Sequence, residues 1–178
     1  ELEIVLSKNI VKDRTLTEKV KANDLNCIDC FKLAAAVKLS ELFSNIPVYL
    51  VPQQQTKPIK QIPPAVFVLT TNIHREKRFN GEHEYQIGVN IAYMSKDENA
   101  QTEQQEAAIK IMDMVENIPP LEGMKYPYTM YVADSRTVDG IVNITGTVTV
   151  WERRSEDAPI IEDAEVDVNV KEDKGGCN

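Results

Sequence analysis

The sequence predicts an α+β fold in which two helices lie on one face of an antiparallel or mixed sheet. Two observations carry this. Alternation of period two surrounds each of two turn dipeptides, Asn80-Gly81 and Asp139-Gly140, which predicts two long hairpins. Apolar residues at steps of three and four mark two stretches, about 24–44 and 98–117, as amphipathic helices. The order is helix, short strand, hairpin, helix, hairpin, a pattern that stacks helices on one side of a sheet.

Residues 1–22 read as an N-terminal extension: Leu2, Ile4 and Leu6 alternate, and a charged stretch follows. Such a segment is a mobile tail or an arm that pairs with another subunit's sheet edge. The core domain spans 23–154. Asn23 and Asp24 are suited to cap the first helix, whose stripe is Ile28, Phe31, Ala35, Leu39 and Leu42. Asn45 and Pro47 end it, and a short strand occupies 48–51. The Pro- and Gln-rich stretch 52–64 reads as an exposed loop.

The apolar run 65–69 suits a central strand that continues through TTNIHREKRF to Asn80-Gly81, where a two-residue turn needs φ > 0 twice. On the return strand Tyr85, Ile87, Val89, Ile91 and Tyr93 face one way, and Gln86, Gly88, Asn90 and Ala92 the other. The second helix buries Ala108, Ile111, Met112, Val115 and Ile118, turns Glu103, Glu106 and Asp113 to solvent, and stops at Pro119-Pro120. The second hairpin runs up through Tyr128, Met130 and Val132, turns at Asp139-Gly140, and returns through Val142, Ile144, Val148 and Val150. Residues 155–178 form an acidic C-terminal arm or tail with Val166, Val168 and Val170 at strand spacing.

Composition narrows the function. A chain of 178 residues with 42% hydrophobic residues builds a real core. A net charge of −8 argues against phosphate binding as the main task. No apolar run reaches the ~20 residues of a membrane helix. ELEIVL at the start is short and acidic for a secretory leader, and three cysteines are too few for a disulfide framework, so a reducing cytoplasmic setting is expected.

Reactive constellations are scarce. Cys27 and Cys30 form a Cys-x-x-Cys near a helix start, the place where a dipole lowers a thiol pKa. A structural zinc site needs two more ligands, and Cys177, His74 and His83 supply no recognisable spacing, although the two histidines flank one hairpin turn. No thioredoxin-like strand order surrounds the pair. It reads as two small, semi-buried residues beside the apolar stripe. There is no Gly-x-Ser-x-Gly elbow and no phosphate loop. No catalytic residue, metal or cofactor is expected.

The first hairpin carries HREKRF on one arm and EHE on the other. Arg75, Lys77 and Arg78 are expected to face Glu82 and Glu84 across the strands, beyond the reach of the domain's own core. With His74 they make a candidate subunit interface. Arg153, Arg154, Val166, Val168 and Val170 are further interface candidates.

FVLTTNIHREKRFNGEHEYQIGVNIAYMSKDE, the helix QEAAIKIMDMVENI and the closing YVADSRTVDGIVNITGTVTVWERR together resemble the tail terminator proteins of long-tailed phages and phage-like particles. The resemblance covers about 24–153 and rests on element order and texture, with no catalytic signature. It implies a non-enzymatic virion protein, assembled in the host cytoplasm, that forms a six-fold ring at the head-proximal end of a tail tube. Its implied partners are other copies of itself, the tube protein, a neck or head-completion protein and, in contractile particles, sheath. DNA would pass through the ring unread, and an acidic lumen would not grip phosphate. A neck or head–tail joining protein is one rival reading. A thiol or metal-binding protein using Cys27 and Cys30 is another, and an adaptor that binds peptides by strand addition a third.

Overall fold

The computed structural model describes residues 9–50, 63–124 and 126–153. Leu2, Ile4, Leu6, nearly all of the expected 52–64 loop, Arg154 and the arm with Val166, Val168 and Val170 lie outside these residues. The strands are β1 (Ile10–Val11), β2 (Val48–Tyr49), β3 (Ala65–Lys77), β4 (Glu82–Met94), β5 (Met130–Val138) and β6 (Ile141–Arg153). They form one six-stranded sheet in the order β1-β2-β3-β4-β6-β5. The β1–β2 and β2–β3 pairs are parallel and the other three antiparallel, so the sheet is mixed. The fold is α+β, as the periodicities predict.

Three helices, α1 (Arg14–Ala22), α2 (Cys27–Leu42) and α3 (Gln101–Val115), share one core with the sheet. Phe31, Leu33 and Leu39 of α2 and Ile111 of α3 are fully buried against Val66, Val68, Ile87, Ile91, Ile144 and Val148. Each such side chain contributes ~1.5–3 kcal/mol of transfer free energy. All five residues expected to face inward on β4, from Tyr85 to Tyr93, do so. Ala92 joins Tyr49, Ala65 and Phe67 in a small second cluster on the far face.

Several expectations need correction. The charged stretch before residue 23 contributes a strand and a helix, and both Ile10 and Leu16 are buried in the main core. Short amphipathic helices rich in Lys and Glu look like solvated chain in sequence, because one buried leucine per two turns is a weak periodic signal. Asn23 does not cap α2. It ends α1 in the left-handed region at φ 54°, a conformation asparagine tolerates, while Asn26 and Asp29 form the capping box of α2. Helix α3 is turned slightly from the expected stripe, burying Ala107 and Met114 and leaving Ala108 and Met112 partly buried. Its N-cap, Ala100, has no side-chain acceptor. The buried Gln104 anchors that end instead, donating to Ser95 Oγ at 3.1 Å and the Glu98 carbonyl at 2.9 Å.

The Asp139-Gly140 turn is the two-residue kind expected, closed by Val138 opposite Ile141 with φ of 51° and 74°. The Asn80-Gly81 turn is not. Phe79–Gly81 makes a 3₁₀ turn, only Gly81 has positive φ, and the Arg78 N–H donates to the Glu82 carbonyl at 2.8 Å. A three-residue loop ending in a left-handed glycine serves the same strand twist. Bulges interrupt β3 between Thr70 and Asn72 and β5 between Val132 and Asp134. Each sits across from a glycine, Gly88 or Gly146. The first bulge resets the alternation of β3: Ile73, Arg75 and Lys77 fall on the helix side, and His74 and Glu76 on the far side.

Candidate functional site

The far end of the β3–β4 hairpin gathers the charged residues. Arg78 donates to Glu84 Oε2 from Nε at 2.9 Å and from Nη2 at 2.6 Å, and Nη2 also lies 2.9 Å from Glu76 Oε2. Gln86 donates to Glu84 Oε1 at 3.1 Å. The bond from Gln86 and those from Arg78 hold the Glu84 carboxyl below the usual range, and Glu84 in turn raises Arg78. The guanidinium lies 6.0 Å from the ring centre of Trp151 on β6. Glu84 is buried, while His74 stays exposed with Nε2 3.4 Å from Glu76 Oε1.

Of the cross-strand charge pairs expected here, Arg78 with Glu84 is made. Arg75 lies opposite Tyr85, Lys77 opposite His83, and Glu82 opposite Arg153. His74 pairs with Gln86, so the two histidines are not neighbours. The hairpin also does not stand clear of the core as expected. Strand β6 is as long as β4 and follows it to Glu82, which buries Glu84 and Tyr85. Only the β3 arm stays exposed: β2 pairs with β3 at Val66 and Phe67 alone, and no described strand lies along residues 69–77 on that flank.

On the opposite lateral side β5 stops pairing at Met130 with Val148, and β6 runs on through residues 149–153. Beside that extension lies a half-open cavity of about 780 Å³. Cys27, Cys30, Tyr126, Tyr128, Val150 and Trp151 line it, with Glu82 and Glu152 among its polar groups. The Tyr85 hydroxyl donates to Glu152 at 2.9 Å. Large apolar side chains around this end are open to solvent: Phe79 is 92% exposed, Tyr126 79%, Trp151 57% and Ile73 53%. Sequence reading missed these four as surface features. Trp151 had a usable signal, since it shares parity with Thr147 and Thr149, the outward face of β6.

Cys27 opens α2 and is half-buried; Cys30 is buried one turn on. Burial pushes both thiols up to about 11, with Glu152 adding to the effect at Cys27 and Asp29 at Cys30. Burial here outweighs the helix dipole, so the thiolate that attacks or ligates is scarce at neutral pH. Among the described residues no three His, Cys, Asp or Glu side chains are grouped to hold a metal, and no helix is long and apolar enough to cross a membrane. The far-face strand residues Asn143, Thr145, Thr147 and Thr149 offer hydroxyls and an amide; Asn90 donates to Asn143 Oδ1 at 3.2 Å, and the Thr145 hydroxyl donates to the Asp134 carbonyl at 3.4 Å.

A family profile described as phage tail terminator protein matches residues 31–160. The match begins within α2 and runs past the end of β6, leaving β1 and α1 outside. No curated protein matches the chain.

Proposed function

Because the chain belongs to the phage tail terminator family, we propose that it forms a closed six-fold ring at the head-proximal end of a tail tube, ending tube growth and presenting the docking face for the neck or head. Family membership makes it a structural protein of a phage tail. The ring, its place on the tail and its partners are the proposal. One observation supports it best. Among the described residues, two strand flanks extend past their neighbours on opposite sides of one sheet end, and exposed aromatic residues lie around it. Contact between unlike surfaces of identical subunits is what generates a ring.

The partners under this reading are further copies of the chain, the tube protein, a neck or head-completion protein and, where the tail contracts, sheath. DNA passes through without base readout, consistent with a net charge of −8. Gold labelling on negatively stained particles tests the placement. One label at the head-proximal end of each tail, including on tubes without heads, is expected. Label confined to head-bearing particles points to a neck protein, and label absent from all particles overturns the virion role.

A further inference from the structure

Resting on the ring reading, the geometry points to one subunit contact: the exposed β3 arm of one copy lies parallel to the β6 extension of the next, joining the sheets edge to edge. Levels along the sheet carry the argument. Gln86 on β4 is paired with His74 on one side and Thr149 on the other, Glu84 with Glu76 and Trp151, and His83 with Lys77 and Glu152. The two flanks therefore sit at the same height, at the same end of the sheet. Both strands also run toward that end, since each is antiparallel to β4. Rotation about an axis along the strands brings one flank onto the other with no translation. That is the condition for a closed ring; a height mismatch would wind a helical filament.

Charge fits the same alignment. On the helix side, Lys77 of one copy comes beside Glu152 of the next, and Arg75 comes beside Val150, over the cavity that Glu82 and Glu152 help to line. Lys77 and Arg75 are exposed. Adjacent strands lie ~4.8 Å apart, which puts opposite charges on one rung within reach. Exposed Ile73 and Phe79 on the arm, and exposed Tyr126 and Trp151 beside the cavity, supply apolar area that an isolated copy leaves wet.

Cross-linking tests the contact. In a chain carrying Cys27→Ala, Cys30→Ala and Cys177→Ser, Lys77→Cys and Glu152→Cys are combined and mildly oxidised. Within one copy these positions are two strands apart, ~9.6 Å, too far for a disulfide. A ladder of multimers ending at a closed ring is expected. Charge gives a second readout by native mass spectrometry. A chain with Arg75→Glu and Lys77→Glu, and a chain with Glu82→Lys and Glu152→Lys, should each lose rings alone and recover them on mixing. Wild-type rings without the ladder, or a ladder that stops at dimers, overturn the contact and leave the ring reading standing. Rings that survive both reversals do the same. A wild-type chain that stays monomeric and absent from tails overturns both.

Discussion

Arg78 and Glu84 lock the hairpin end to the sheet: both Nε and Nη2 of the arginine reach one carboxylate oxygen that the sheet has taken out of water. Because Glu84 titrates below its ordinary value, folding favours its charged form. Its contribution is therefore present above pH ~4.5 and is lost as the pH falls through the lower, folded-state value. Glu84→Gln is expected to lower the melting temperature at pH 7, with the gap to wild type shrinking as the pH drops below ~4. Melting curves from pH 3 to 7 check it. A gap that stays constant across that range would show that the charge does not matter.

The two glycines opposite the bulges should respond unequally to a methyl group. At Gly146 a Cβ would lie 2.3 Å from the Tyr131 carbonyl oxygen, which is backbone in a paired strand. At Gly88 it would meet the side chains of Asn72, at 1.8 Å, and Thr71, which are exposed and able to rotate away. Gly146→Ala is expected to cost roughly 1–3 kcal/mol or more, and Gly88→Ala less. Urea titrations of the two variants give the comparison directly.

Leu16 offers a test of the N-terminal helix. It is 5% exposed and sits in the same core as Phe31 and Ile144. Leu16→Ala is expected to destabilise by ~2–5 kcal/mol, the usual range for a buried leucine. Under 0.5 kcal/mol, the size of a surface change, would mean that α1 is peripheral to the fold.

The cysteine pair should behave as packing rather than chemistry. With both thiols pushed up to about 11, their alkylation by iodoacetamide in a Cys177→Ser chain is expected to be slow at pH 7.5 and to quicken only above pH ~10. The same shift makes the folded state lose stability as the pH rises from the ordinary thiol value toward the folded-state one. Cys27→Ala with Cys30→Ala should still fold and assemble. Fast labelling at neutral pH, or loss of a bound metal in the variant, would restore the thiol or metal-binding reading.

Much of the fold was legible because it rests on strong periodic signals. The alternation from Tyr85 to Tyr93 and from Val142 to Val150 is set by one buried face, and Asp139-Gly140 declared its turn type through two positive φ angles. Parallel pairing of β1 with β2 was not legible. Two-residue strands carry no period, and their partners are chosen by tertiary packing. The site was half legible. Charges at the hairpin end announced Arg78 and Glu84, but partner choice followed the turn: a two-residue Asn80-Gly81 turn would set Lys77 opposite Glu84, whereas the three-residue loop sets it opposite His83, and the bulge between Thr70 and Asn72 absorbs the difference. Nothing local in HREKRF encodes that shift. The cavity beside residues 149–153 was invisible as well, since it depends on where β5 stops relative to β6.

The strand order has a consequence for synthesis on the ribosome. Strands β3 and β4 are consecutive and can zip as soon as both emerge. The other side of β4 belongs to β6, which is translated only after α3 and β5. Until residue 153 has left the exit tunnel, the nascent chain presents a long strand with its apolar face only partly covered and one row of amides bare. Such an edge invites pairing with another nascent chain on the same polysome. Slowing translation once β4 has emerged and before β6 has done so should therefore lower soluble yield, and an unchanged yield would show that the bare edge is harmless.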